Sequence, residues 1–308
     1  MWAQRGMSDE STGERGEPGG LAGVVAASPV SGGGAFNLAL GAVIQCAEAA
    51  TLGLPFEVWK TRMGRFRNES TREAFVQVYR SGGGASAFWK GFGPKMVESA
   101  SKGSVLMVAK ELSQAALMSA GMGPVAAGLS AGALGGMCQT VVIAPMTFLV
   151  TGAVTGNQTK STMQRVREVW AAKGVRGFYP GGTAVMFRGA TNWASRQGFT
   201  ETVRVQLQTS LHGKVGAKLS KAEEVGAGIV GGTLSCWNQP FEVARIEAQA
   251  RAEAGQKSLS MVGVMRHVVD EQGIKGLFKG LIPRIGLSVW QTLFMVTGAK
   301  MIKDALEA

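Results

Sequence analysis

Two short runs in this 308-residue chain place an acid and a base three residues apart behind a proline: Pro55, Glu57 and Lys60, then Pro240, Glu242 and Arg245. A third proline, Pro145, is followed at the same offsets by Thr147 and Val150. Side chains three apart share a helix face, and away from water such charges must hold one another or a partner from elsewhere. The chemistry is that of a gate, in which ion pairs close a passage and exchange partners to open it. A second set of charges, Glu98, Lys102, Arg188 and Arg284, stands isolated in apolar stretches. Charges at such depth face a wet interior. An arginine fork binds both oxygens of a carboxylate, so three cations against Glu98 predict a grip on a di- or tricarboxylate.

Enzyme chemistry has little to stand on. Cys46, Cys138 and Cys236 are widely spaced and His212 and His267 lie apart, which leaves no metal-ligand spacing and no nucleophile–base pair. The expectation is a protein that is not an enzyme and needs no metal or cofactor.

The elements that carry these residues read as membrane helices. The 33 positions 124–156 contain no charged residue, more than the ~20 needed to cross a bilayer. The run 35–56 carries only Glu48, and 225–241 carries no charge. Between them lie 94–120, 183–207 and 283–301, apolar but holding the isolated charges and Arg196. That makes six spans. Gly128, Gly132 and Gly136, and again Gly228 and Gly232, repeat every fourth position, which predicts close helix packing.

The chain also repeats itself three times. The prolines are 90 and 95 residues apart, and each is followed by a short amphipathic stretch (70–79, 161–171, 259–270) and a pair of glycines seven apart. These are Gly84 and Gly91, Gly174 and Gly181, Gly273 and Gly280, with Trp89, Tyr179 or Phe278 two before the second glycine. Proline kinks a long helix, so three kinked helices should converge at one end and bring the acids and bases together. Positions counted from the closing glycines should lie at equal depth. Seven on are Glu98, Arg188 and Leu287; eleven on are Lys102, Asn192 and Gln291; four on are Lys95, Val185 and Arg284. A gate should be near symmetric while a solute site need not be. The broken symmetry therefore selects Glu98, Lys102, Arg188, Asn192, Arg284 and Gln291 as the substrate site. A structural pairing of Glu98 with Arg188 is the plainer alternative.

The motif P-x-[DE]-x-x-[KR], with the aromatic–basic–glycine tags at this spacing, resembles the mitochondrial carrier family over residues 36–305. The resemblance implies an all-α membrane protein with six transmembrane helices in a threefold pseudosymmetric barrel and three short matrix helices. It implies alternating access for small anions across the inner mitochondrial membrane, by a chain that works as a monomer. The repeats fall at 36–120, 121–211 and 212–308. Residues 1–35 read as a disordered segment whose Asp9, Glu10, Glu14 and Glu17 argue against a mitochondrial transit peptide. In the family each acid pairs with the base of the next repeat. Mapped here, only Glu242 with Lys60 survives, while Glu57 and Arg245 either find each other or keep water. Gln249 stands where the family braces this gate. The family's second gate maps to Glu111, Glu201, Arg204, Lys300 and Lys303.

The stretches 97–107, 191–199, 235–249 and 283–296 narrow the resemblance to the branch that exchanges citrate for 2-oxoglutarate, with other di- or tricarboxylates and keto acids as alternatives. The net charge of +11 admits nucleic acid as a rival partner, including a role in maintaining mitochondrial DNA. The basic residues are scattered and form no recognised nucleic-acid motif. Near helix ends they suit lipid headgroups, cardiolipin included.

Overall fold

The computed structural model describes residues 34–156 and 160–307, and of these the side chains of 38–156 and 160–295. Residues 1–33, most of the segment expected to be disordered, lie outside the described residues. Each repeat contributes one broken helix, one short helix and one long helix. In the first, α1 (Gly34–Glu48) and α2 (Leu54–Arg65) are joined by a π turn at Ala49–Gly53 and followed by α3 (Thr71–Arg80) and α4 (Phe92–Ser119). The second holds α5 (Pro124–Cys138), α6 (Thr140–Thr155), α7 (Thr162–Lys173) and α8 (Gly182–His212). The third holds α9 (Lys221–Leu234), α10 (Gln239–Glu253), α11 (Met261–Gln272) and α12 (Leu281–Glu307). No strand occurs among the described residues.

The breaks precede the prolines rather than fall at them. Thr51 leaves helical geometry at φ −83°, ψ −108°. The α5–α6 pair bends by 47°, and a 3-10 turn at Ser235–Asn238 parts α9 from α10. Pro55 and Pro240 then sit in the first turn of α2 and α10, where a missing N–H costs nothing. Pro145 lies inside α6 and leaves the Val141 carbonyl without its helical donor. The Tyr179 hydroxyl supplies one at 2.9 Å, and the Trp89 indole N–H donates to the Ala50 carbonyl at 2.7 Å. Two of the three aromatic tags thus serve kink carbonyls; Phe278 has no donor to offer.

The six long or broken helices form a closed ring in which each packs on its two neighbours. At the proline end α2, α6 and α10 also pack on one another in all three pairings, whereas α1, α5 and α9 pack chiefly on the flanking α4, α8 and α12. The ring is therefore shut at one end and spread at the other. The short helices start at Ser70, Ser161 and Ser260, each accepting a backbone N–H in its first turn. Glu73 on α3, outside the spanning segments, is held below the usual carboxylate range by its hydrogen bonds with Ser70.

The closing glycines set the register between repeats. Gly91, Gly181 and Gly280 adopt φ of +79°, +69° and +82°, which disfavours any side chain. A Cβ at Gly91 would stand 3.1 Å from the Val150 Cα, one at Gly181 3.4 Å from the Arg245 carbonyl oxygen, and one at Gly280 3.1 Å from the Lys60 carbonyl oxygen. Each repeat's closing turn thus rests on the gate-base position of the next repeat. The glycine rows behave less uniformly than expected. Gly136 lies directly against Gly189 and Gly232 close against the Ser288 hydroxyl, while Gly128 faces open space and Gly132 makes only ordinary contact. Close packing is a property of single crossing points, not of the whole row.

By length and apolar composition 38–65 qualifies as a span, and α5 with α6 as a bent one. The long helices α4, α8 and α12 have 28, 31 and 27 residues, each ~40 Å or more at 1.5 Å per residue. Charged residues stand within all three: Glu98 and Lys102, Arg188 and Arg196, and Arg284.

Candidate functional site: a charged floor beneath a cationic chamber

Where α2, α6 and α10 converge, the two acids and two bases form a square. Lys60 lies 2.9 Å from Glu57 and 2.7 Å from Glu242; Arg245 lies 2.7 Å from Glu242 and 3.5 Å from Glu57. All four are at most 6% exposed. The sequence led to an expectation of one surviving ion pair, with Glu57 and Arg245 either meeting or keeping water; they meet, and there are four contacts. The reason is the uncharged middle repeat. With Thr147 and Val150 unable to pair, Glu57 and Arg245 turn towards the remaining charges and the would-be ring of three becomes a closed four-membered cluster. Gln249 fills the vacated corner. Its carbonyl oxygen accepts from Arg245 at 2.8 Å and from Thr151 at 2.9 Å, and its amide donates to the Thr147 hydroxyl at 3.0 Å. The matching position in the first repeat, Gly64, is filled by Ile246. One layer further out, Glu247 accepts from Arg65 and Arg67, each at 2.7 Å, tying the third repeat to the first again.

The predicted substrate residues stand just above this floor. Lys95 links the two levels, 3.1 Å from Glu98 and 3.9 Å from Glu57. The pairing of Glu98 with Arg188 does not occur; Arg188 instead reaches down to Glu242 at 3.2 Å and remains 20% exposed. Arg284 donates to Gln239 at 2.9 Å, to Asn192 at 3.5 Å and to Asn238. Among the described residues no carboxylate lies within 4 Å of Arg284 or of the Lys102 ammonium. Gln291 is partly buried on α12, beside Thr292. Arg196, two turns along α8 from Arg188, crosses the inner face of α9 at Gly232 and donates to Thr292 at 2.9 Å.

The opposite end is built differently. Glu111 is exposed. Glu201 and Arg204 pair at 2.7 Å within α8, and Arg204 lies 3.7 Å from Glu224 on the adjacent α9. Among the described residues no ion pair crosses the ring there. The side chains of Lys300 and Lys303 lie outside the described residues.

Comparison with known proteins decides what this architecture is. The family model described as "Mitochondrial carrier protein" matches three times in succession, over residues 33–121, 122–211 and 218–308. The chain belongs to the mitochondrial carrier family. This carrier is 34% identical over 281 residues to the "Citrate/oxoglutarate carrier protein" of Saccharomyces cerevisiae, covering 87% of this chain and 89% of that protein. It is 28% identical over 247 residues to the "Mitochondrial 2-oxodicarboxylate carrier" of Mus musculus, covering 75% and 81%. With the "Mitochondrial magnesium exporter 1" of Drosophila melanogaster it shares 24% over 185 residues, covering 58% and 60%.

Sequence reasoning missed Thr151, Asn238 and Gln239 in this carrier's interior. Thr151 was signalled by its position four residues after Thr147, on the same helix face. Asn238 and Gln239 were signalled only as polar residues in an otherwise uncharged span.

Proposed function

We propose that this carrier exchanges citrate for 2-oxoglutarate across the inner mitochondrial membrane by alternating access, with the proline end facing the matrix. The observation that carries this reading is the charge distribution. The floor matches two acids with two bases, whereas above it five cations, Lys95, Lys102, Arg188, Arg196 and Arg284, stand against two further acids, Glu48 and Glu98. An excess of three positive charges suits a compact polycarboxylate. Arg284 has no carboxylate partner to give up, and arginine matches carboxylate geometry with two parallel hydrogen bonds.

Arg188 supplies the coupling. Its guanidinium is shared with the gate acid Glu242, so a substrate carboxylate that takes Arg188 removes one counter-charge from the floor. Lys60 and Arg245 then hold Glu242 alone. Binding thus weakens the closed end without any contact between substrate and gate. The yeast relative's name favours citrate and 2-oxoglutarate. The mouse relative's name supports a second reading, a carrier of 2-oxodicarboxylates at large. We propose further that the chain acts as a monomer with anionic lipid, cardiolipin included, at its basic helix ends.

The test is transport by the purified protein in liposomes, with citrate, 2-oxoglutarate, 2-oxoadipate and malate each offered outside and loaded inside. Citrate uptake should require internal 2-oxoglutarate or citrate and be absent from empty liposomes. Uptake of 2-oxoadipate with rejection of citrate would shift the assignment to the second reading. No exchange of any carboxylate would overturn both.

A further inference from the structure

Glu48 plays no part in the gate or in the predicted substrate site, yet it is among the most deeply placed charges in the molecule, 3% exposed. It lies in the last turn of α1, immediately before the π turn, a kind of irregularity that recurs at functional positions. Its carboxyl folds back over Gly53, where a Cβ would come within 2.5 Å of Oε1 and 2.8 Å of the Glu48 carbonyl oxygen. Glycine at 53 therefore makes room for this carboxyl at the kink. Oε1 has no hydrogen-bond partner, and among the described residues no cation lies within ion-pair distance of it.

The charged groups that bear on Glu48 come from several elements: Lys102, Lys95 and Glu98 from α4, Glu57 from α2 and Arg196 from α8. From α12, the Trp290 indole N–H donates to the Glu48 carbonyl at 3.4 Å, and Arg284 is committed to Gln239 and Asn238. A buried carboxylate without a partner is costly, while the acid form is not. Lys102, itself unpaired, is the one cation on α4 free to relieve it.

Building on the exchange proposed above, we infer that Glu48 is a proton site that makes the exchange of a tricarboxylate for a dicarboxylate electroneutral. The trianion's third carboxylate takes Lys102, leaves Glu48 without a counter-charge, and Glu48 takes one proton from water at the open end. The dianion leaves Lys102 to an ionised Glu48. One O–H bond forms on one side of the membrane and breaks on the other. Citrate trianion plus one proton moves two negative charges, and 2-oxoglutarate dianion moves two back. The loaded carrier has the same net charge on both legs.

The experiment uses the full chain in liposomes with an internal pH indicator and a potassium diffusion potential. In the wild type, citrate entering against 2-oxoglutarate should acidify the interior by one proton per citrate, at a rate indifferent to the potential. In Glu48→Gln, citrate/2-oxoglutarate exchange should move no proton and should respond to the potential. The readout is a ratio and holds whatever the variant's rate. Citrate entry without acidification in the wild type, or an unchanged proton ratio in Glu48→Gln, overturns the inference. If Glu48→Gln carries nothing, Glu48→Asp must restore exchange together with the proton; silence in both makes Glu48 a structural element and also overturns it. Failure of the wild type to exchange any carboxylate would instead count against the transport reading.

Discussion

The two ends of the helix ring are made from similar sequence material and hold it in opposite ways. At the proline end every gate charge contacts a charge from another repeat, Lys60 with Glu242 at 2.7 Å and Arg245 with Glu57 at 3.5 Å. At the other end Arg204 satisfies itself with Glu201 in its own helix and with Glu224 on the neighbouring one. The difference lies in what the charges cross. Pairs among the three broken helices fasten them to one another, while pairs within a helix or between ring neighbours leave the ring free to spread. The molecule is therefore shut at the floor and spread at the other end. Under the alternating access proposed above, the charges at the open end would cross the ring in the other state.

The largest expected effect tests the link between chamber and floor. Arg188→Ala removes a charged contact worth about 2–3 kcal/mol, so citrate exchange should fall by on the order of 100-fold. Exchange at the wild-type rate would mean that Arg188 serves only the floor. Next comes the floor itself. Arg245→Ala strands the buried Glu242 and Glu57 with Lys60 as their remaining floor cation, and breaking a buried pair in this way costs about 3–5 kcal/mol. The detergent-solubilised protein should melt several degrees lower. Gln249→Ala leaves Arg245, Thr151 and Thr147 short of partners, each a neutral or singly charged loss of about 1–2 kcal/mol, and should lower the melting temperature by less. Arg204→Ala sharpens the contrast. An exposed pair within one helix contributes about 0–1 kcal/mol, so melting should hardly change, while exchange should slow because the second gate cannot form. Equal destabilisation by Arg245→Ala and Arg204→Ala would erase the distinction between the ends.

Much of this was legible in the sequence because it is written in spacing. The three prolines, the six signature glycines and the three amphipathic stretches marked three repeats with converging kinked helices, the apolar runs marked six spans, and depth counted from the closing glycines put Arg284, Arg188 and Lys102 on successive levels four, seven and eleven residues on. What spacing could not give was partner choice. The residue rule that each acid meets the next repeat's base left Glu57 facing Val150, but side chains with several carbons of reach rearrange once one repeat is neutral, and the square followed. The pairing of Arg188 with Glu242 was hidden for the same reason: it joins two levels, and counting by level cannot see it. The glycine rows held at Gly136 and Gly232 but not at Gly128, because four-residue spacing records which residues share a face, not which helix crosses there. Glu48 stood out as the sole charge of its span, but its lack of a partner is a fact of packing alone.

The smallest effect concerns the kinks and compares repeats rather than ends. Tyr179 donates to the Val141 carbonyl that Pro145 leaves open, and Trp89 donates to the Ala50 carbonyl beside the π turn, whereas Phe278 sits at the equivalent place in the third repeat with nothing to donate. The third repeat breaks by a 3-10 turn, Ser235–Asn238, in which the chain closes its own hydrogen bonds and Ser235 returns its hydroxyl to the Gly231 carbonyl at 2.7 Å. A donor from the tag is needed only where the break leaves a carbonyl open. Tyr179→Phe should therefore cost about 0.5–1.5 kcal/mol, a small drop in melting temperature with exchange retained. Phe278→Tyr should give no gain, since no carbonyl waits for it. A stabilising Phe278→Tyr, or a Tyr179→Phe as damaging as Arg245→Ala, would show that the tags act on the floor rather than on the kinks.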